Sequence, residues 1–207
     1  DGDDNLIYKK VPDATAETYR YSIRNLQTAM RNATLQTQGR WLVTHYDDYG
    51  RPSKRGYHTG SDPGTTETPT IHTLLEEYFY DGFNGSTTNT AAINKGKLKK
   101  SRIKVLTDGG ANNNWVETEY FYDIYGRVMT EAITNHLGGT ETKMYTYDFG
   151  DNITTETHNI SGPNGVNQVN KHTYDHQGRK KFDRININGT GERTLAECNY
   201  DHKNQII

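Results

Sequence analysis

One short pattern recurs along the chain and constrains its fold more than any other feature. An aromatic residue precedes an aspartate, two variable residues follow, and glycine and arginine close the group. "FYDIYGRV" (121–128) shows it with Tyr122, Asp123, Gly126 and Arg127. "HYDDYGRP" (45–52) repeats it with Tyr46, Asp47, Gly50 and Arg51, and "TYDHQGRK" (173–180) with Tyr174, Asp175, Gly178 and Arg179. Weaker copies carry Tyr147 and Asp148 in "TYDFGDNI" (146–153), Tyr200 and Asp201 in "NYDHKNQI" (199–206), and Tyr80 and Asp81 in "FYDGFNGS" (79–86). "RYSIRNLQ" (20–27) keeps the tyrosine and places Ser22 where the others have aspartate. The opening "DGDDNLI" aligns with residues 148–153 and lacks only the tyrosine. The second motif position therefore falls at 1, 22, 47, 81, 123, 148, 175 and 201. A unit repeated every twenty-odd residues makes the chain an array of similar pieces.

Each motif reads as the turn of a β-hairpin. Thr118, Tyr120 and Tyr122 alternate with Glu119 and Phe121, the period of a strand. The Asp123 carboxylate is placed to accept N–H bonds from the residues after it, as in an Asx-type turn. Gly126 supplies the positive φ of a tight hairpin, and the substitutes at that position, Asp4, Asp151 and Asn204, are the residue types that best tolerate it. Arg127 is expected to pair with Asp123 and to lie over Tyr122 across its own hairpin. An acid and a base that recur at every turn are architecture, whereas a catalytic pair would occur once.

A second set of turn signals, "TNHLGGTET" (134–142), "ISGPNGVNQ" (160–168) and "INGTGERT" (187–194), lies between motifs. Each interval then holds two strands, and seven intervals give about fourteen antiparallel strands, spanning roughly 65 Å at ~4.8 Å each. Open sheets of that width usually curl. The expected fold is all-β: one large, curved antiparallel sheet of consecutive hairpins, forming a single repeat region over 1–207. The two longest intervals carry insertions near 58–70 and 84–96, rich in Gly, Ser, Thr and Asn as flexible loops are. Both are expected opposite the motif turns. Residues 8–40 are the least regular part, and the Tyr-x-Tyr-Ser register favours a strand pair over a helix.

Composition agrees with a sheet that is polar on its faces. Leu, Ile, Val and Phe supply only 35 of 207 residues, while 15 Tyr and two Trp return part of the missing apolar area. A normal globular core is out of reach. The net charge of −2, from 24 basic and 26 acidic residues, argues against nucleic acid as a partner. The one dense basic run, "KGKLKKSRIK" (95–104), reads as a solvated edge strand or loop guarded by lysines. No apolar run approaches a membrane span, and "DGDDN" is no signal peptide. The single Cys198 excludes an internal disulfide framework.

His172, His176 and His202 accompany the motifs, but a spacing of four along a strand separates side chains by ~13 Å, too far for one metal ion. Solvated surface histidines are the better reading. Cys198 has no histidine at nucleophile spacing and reads as structural. Glu76–Glu77 and Asp47–Asp48 are adjacent on strands and point to opposite faces, unlike a glycosidase acid/base pair. The Gly-rich pieces do not lead from a strand into a helix, so phosphate cradling fails its context. Catalytic, metal and cofactor residues are thus expected to be none. A row of Tyr with Asn, Asp and Thr is also what a carbohydrate-binding surface presents. Because the tyrosines sit in every motif, stabilising cross-strand contacts are the favoured reading.

Tyr-Asp-x-x-Gly-Arg at such intervals resembles the RHS, or YD-repeat, family, and the resemblance covers essentially the whole chain. "DNLIYKKVPDA" and "RWLVTHYDDYGRP" are similar to RHS proteins of Bacteroidota. The resemblance implies a β-shell that spirals into a hollow container, often around a C-terminal toxin in bacterial members; animal teneurins use a similar shell in adhesion. It implies a secreted or cell-surface setting, flanking repeats of the same chain as partners, and an enclosed toxin or secretion machinery beyond them. The family's shell-closing core, with its Asp-Pro-x-Gly self-cleavage motif, has no counterpart here, since "SDPG" (61–64) lies in an insertion, and no non-repetitive toxin domain occurs within the sequence. The chain begins and ends inside motif copies, which reads as an excerpt of a longer protein. The function expected is non-enzymatic enclosure or display, with an adhesin or glycan-binding surface as the competing reading.

Overall fold

The computed structural model describes residues 5–10, 16–81, 95–106, 115–135, 138–162 and 164–207. The first motif copy at residues 1 to 4, with Asp4, and insertion residues 84–94 lie outside them. Fourteen strands hydrogen-bond in chain order as one antiparallel sheet. They are β1 (Tyr8–Lys9), β2 (Glu17–Tyr21), β3 (Gln27–Arg31), β4 (Arg40–Tyr46), β5 (Pro52–Thr59), β6 (Thr73–Tyr80), β7 (Leu98–Lys104), β8 (Trp115–Tyr122), β9 (Val128–Thr134), β10 (Thr140–Tyr147), β11 (Ile153–Ile160), β12 (Val166–Tyr174), β13 (Lys180–Ile187) and β14 (Arg193–Glu197). The expected fold class is what the chain adopts, two strands to each motif interval. Residues 8–40 hold strands β1 to β3, as the tyrosine register predicts, and a single-turn helix, α1 (Ala33–Thr37), whose N-cap Asn32 accepts the Leu35 N–H at 2.9 Å.

Contacts separate the chain into two compact units, residues 1–79 with 101–114, and residues 80–100 with 115–207. The first contains the chain's small buried apolar cluster, Ala29, Trp41 and Val43, with Ile71 packed against it. Arg31 and Arg20 place their guanidinium groups 4.3 and 5.4 Å from the Trp41 ring, so even this cluster is roofed by charge. Gly56 pairs with Val43 across β4 and β5. A Cβ there would stand 2.3 Å from the Thr73 carbonyl and 2.6 Å from an Ile71 methyl, so only glycine lets Ile71 reach the cluster. In the second unit the described residues contribute Lys99 as a buried side chain and no buried apolar one. Ladder hydrogen bonds and half-buried side-chain stacks take the place of a core, as the scarcity of aliphatic residues requires.

A feature the sequence did not announce recurs before the turns. The register slips by one residue at Arg20/Tyr21, His45/Tyr46, Phe121/Tyr122, Thr146/Tyr147 and Thr173/Tyr174. These are β-bulges, which bend a strand and re-aim its side chains. The extra residue lies in the strand that leaves the turn, at Thr28, Ser53, Met129, Thr154 and Lys181, opposite the step into each of these motif tyrosines.

Three sequence expectations need correction. The basic run forms β7, which lies between β6 and β8 and is not an edge. Three of its cations are engaged: Lys99 donates to the Tyr120 carbonyl at 3.0 Å and lies 4.0 Å from the Phe121 ring, Lys100 pairs with Glu117 at 2.7 Å, and Arg102 pairs with Glu77. The insertion near 58–70 is a strap fixed to its own unit. Asp62 binds Arg20 and accepts the Gly64 N–H, Glu67 pairs with Arg24 at 3.0 Å, and Pro69 is buried with its carbonyl 2.6 Å from His45 Nε2. The polar residues of this insertion supply ties, where their composition predicts a flexible loop. The insertion near 84–96, finally, interrupts a motif turn, as described below.

Replacing Gly56 with Ala is expected to destabilise the protein by about 1–3 kcal/mol through overpacking. Urea unfolding of Gly56→Ala against the parent checks it, and an unchanged midpoint would mean that Ile71 and β6 move aside freely.

Candidate functional site

The motif residues converge on the turns that link β2 to β3, β4 to β5, β8 to β9, β10 to β11 and β12 to β13, and on the turn after β14. In each, the N–H of the aspartate (or Ser22) donates to the carbonyl of the residue four later at 2.9 Å. Asp47, Asp123, Asp148, Asp175 and Asp201 each use Oδ1 to accept two further backbone N–H groups, from the residues two and four later, at 2.8 to 3.0 Å. The second carboxylate oxygen is left for a side chain. In the three Asp-x-x-Gly-Arg copies the arginine Nε fills that role at 2.7 Å, as Arg51 on Asp47, Arg127 on Asp123 and Arg179 on Asp175. Asn152 Nδ2 does so for Asp148 at 3.0 Å. Gly50, Gly126 and Gly178 take φ of 77°, 81° and 76°, and Asn25, Asp151 and Asn204 take 58°, 62° and 64° at the same position, as their residue types predict.

Burial alone would raise the pKa of Asp175, but the Arg179 side chain, the N–H groups of Arg179 and Gln177, and the arginine charge outweigh it and hold the group at about 2. Asp47 and Asp123 are lowered by the same balance, and Asp148 chiefly by the Asn152 side chain.

The tyrosines do something that the sequence reading missed. Five motif phenols reach back to the previous turn and donate to the first carbonyl after its closing residues: Tyr46 to Gln27 (2.8 Å), Tyr122 to Leu98 (2.6 Å), Tyr147 to Val128 (2.6 Å), Tyr174 to Ile153 (2.8 Å) and Tyr200 to Lys180 (2.7 Å). Tyr21 does the same to Leu6 at 3.1 Å. Burial raises the pKa of Tyr46, Tyr122 and Tyr147, keeping the hydroxyls protonated as donors. Arg127 completes the tie in the forward direction. It pairs with Asp123 as expected, but it lies over Tyr147 of the next turn, 4.5 Å away, and over Tyr125 at 5.0 Å. The expected stack on Tyr122 does not form, because Tyr122 is committed to the preceding turn. There Lys97 stands 5.7 Å from its ring, the place that Arg127 takes over Tyr147 and Arg179 over Tyr200, at 4.4 Å.

That comparison locates the interrupted turn. Asp81 donates its N–H to the Lys97 carbonyl at 3.0 Å and accepts the Gly96 N–H, while Gly96 takes φ 77°. Gly96 and Lys97 thus stand where Gly126 and Arg127 stand. The insertion is inside the turn and not opposite it. The sequence signal was present: "GKL" (96–98) matches "GRV" (126–128), separated from its aspartate by fourteen residues.

Between consecutive turns of the second unit, Tyr125, Arg127, Tyr147, Asp148, Phe149 and Asp151 line a groove of about 570 Å³. Tyr125 and Phe149 stand out from its rim, the former 75 % exposed and the latter fully so. The histidines are dispersed. His172 Nδ1 meets Asp183 Oδ1 at 2.5 Å, His158 meets Glu141 at 3.2 Å, and His176 and His202 are exposed on separate turns. Among the described residues no three His, Cys, Asp or Glu side chains are grouped to hold a metal ion. Glu76 and Glu77 pair separately, with Arg55 at 3.5 Å and Lys54 at 3.4 Å.

No family model matches the chain, and no curated protein matches it. Among solved structures it is similar to the Photorhabdus luminescens Tc holotoxin pore, in a TccC3 point mutant. The identity is 12 % and the TM-score 0.26, over 97 % of this chain and 14 % of that one. A likeness at that score carries no argument about fold or role.

Two outcomes follow from the turn chemistry. Tyr147→Phe should lose about 0.5–1.5 kcal/mol, the usual value of such a hydrogen bond; equal unfolding midpoints for the two proteins would assign the contact no weight. A carboxylate held at about 2 contributes stability that is complete above the ordinary aspartate pKa near ~4 and is lost as pH falls toward ~2. Thermal midpoints should therefore decline across that window, and less steeply in Asp175→Asn.

Proposed function

We propose that this chain is a non-enzymatic wall segment of an RHS-type β-shell, whose work is to enclose or display a C-terminal cargo in a secreted or cell-surface bacterial protein. The observation that carries the reading is the reuse of every polar motif residue in one structural role. Asp47, Asp123 and Asp175 bind the same backbone groups and the same arginine atom. A general acid, base or nucleophile needs an environment of its own, with a pKa set for its task, and these carboxylates are set apart from one another by nothing in their surroundings. The second support is polar burial. Among the described residues, buried Ser22, Thr28, Thr44, Glu77, Lys99 and Ser101 outnumber the buried hydrophobic residues Ala29, Trp41 and Val43, which suits a wall wetted on its faces more than a domain closed around a core. The partners of such a wall are the flanking repeats, an enclosed toxin-type domain and the machinery that exports it.

The groove beside Tyr125 and Phe149 favours a second reading, a binding surface for glycans or a partner protein. The motif tyrosines themselves are poor candidates, because their hydroxyls are spent on neighbouring turns. A glycan surface would instead use the exposed rings at the turn tips.

Limited proteolysis of the full-length protein separates the two. Enclosure predicts that sequence downstream of the repeats stays uncut while the wall is native and is digested once it unfolds. Equal digestion in both states, with glycan-array binding that disappears in Tyr125→Ala and Phe149→Ala, would replace the container by the adhesin.

A further inference from the structure

A contact repeats between successive turns that neither the motif nor the proposed wall function assigns. It joins the residue four after one motif aspartate to the residue three after the next, the position that takes positive φ. Asn5 Nδ2 donates to Asn25 Oδ1 at 3.2 Å, Arg127 Nη1 to Asp151 Oδ1 at 2.7 Å, and Arg179 Nη1 to Asn204 Oδ1 at 2.5 Å. Where the second residue is glycine, the same overhang is present. Leu26 methyls lie 3.7 and 3.8 Å from the place a Cβ of Gly50 would occupy, the Lys97 Nζ 3.0 Å from that of Gly126, and the Asn152 Nδ2 3.9 Å from that of Gly178.

The side chains sort by this overhang. Asn25, Asp151 and Asn204, which present an oxygen acceptor, lie only under the donors Asn5, Arg127 and Arg179. The apolar Leu26 lies over a glycine. Backbone conformation does not explain the choice. Asn25 and Asn204 hold φ of 58° and 64°, close to the 77° of Gly50 and the 81° of Gly126, so asparagine fits the turn itself. An amide placed under Leu26 would lose water without gaining a donor, and an unsatisfied polar group is costly.

We propose that these two positions form a matched pair that determines which turn can sit beside which: a donor overhead admits Asn or Asp below, and an apolar residue overhead requires glycine. The pairing acts between neighbouring repeats and fixes their order and register along the sheet. It holds whether the wall encloses a cargo or displays a surface, so it does not depend on the function proposed above.

Substitution at two glycines of like φ tests it. Amide exchange at Arg51 and Arg127 reports each turn locally, since both N–H groups bind their own aspartate at 2.9 Å. Gly126→Asn, beneath Lys97, should keep the protection of Arg127 within about twofold of the parent. Gly50→Asn, beneath Leu26, should lower the protection of Arg51 by about tenfold or more. Adding Leu26→Arg should restore most of that loss in the Gly50→Asn background and have no such effect on the parent, which is the non-additivity a direct contact produces. Lys97→Leu should in turn abolish the tolerance of Gly126→Asn, a readout that stands even if Gly50→Asn does not fold. Equal losses at the two glycines, or a Leu26→Arg effect of the same size in both backgrounds, would reduce the pair to independent turn preferences and overturn the proposal.

Discussion

A carboxylate that accepts two backbone N–H groups while its own N–H closes the hairpin is the interaction on which the sheet depends. It satisfies donors that a tight turn would otherwise leave to water, and it does so with an ionised acceptor, whose hydrogen bonds exceed neutral ones in strength. Because one oxygen serves the backbone, the other is free for Arg51, Arg127 or Arg179. Arg127 and Arg179 then arrive oriented, with Nη1 on Asp151 and Asn204 and the guanidinium over Tyr147 and Tyr200 of the following turn. Turn closure and turn-to-turn contact are there one network, and the phenols of Tyr147 and Tyr200 return the connection. Ser22 shows the weaker form: its hydroxyl accepts the Arg24 and Leu26 N–H groups at 3.2 and 3.4 Å and has no second oxygen to hold a base.

This network explains how so polar a chain forms a wide sheet. Few of the described side chains are buried, and the apolar cluster of Ala29, Trp41 and Val43 lies in the first unit. Elsewhere each added hairpin gains a ladder of backbone bonds and a phenol–carbonyl bond, and cations lie over the rings of Tyr122, Tyr147 and Tyr200. No one of these is large, but they recur with every repeat. In a linear array, stability accumulates from neighbour contacts and not from a shared interior.

Much of this was legible in the residues, and for a definable reason. Asp, Gly and Arg at fixed offsets state a turn type, and the tyrosine spacing states how many turns there are; strand count and order follow from local chemistry repeated. What was not legible depended on partners remote in sequence. Nothing local tells Arg127 to prefer Tyr147 over Tyr122, because the preference follows from the prior engagement of Tyr122 with Leu98. The strap at 58–70 has the composition of a loose loop, and its anchors, Arg20, Arg24 and His45, lie between 24 and 43 positions away. The true closing residues of the Asp81 turn were hidden by the habit of reading a motif as contiguous.

That interrupted turn has a consequence for how such chains diversify. Asp81 finds Gly96 and Lys97 across fourteen intervening residues and makes the bonds that its relatives make across two. For a chain that behaves as an unconstrained loop, closing a ring several times longer costs only about 1–2 kcal/mol. Once the hairpin ends are held by aspartate, glycine and a cation, the tip between them is released from any duty to fold the sheet. New sequence can enter there without renegotiating strand register on either side. The turn that makes the array regular is also the port through which individual repeats can become unlike one another.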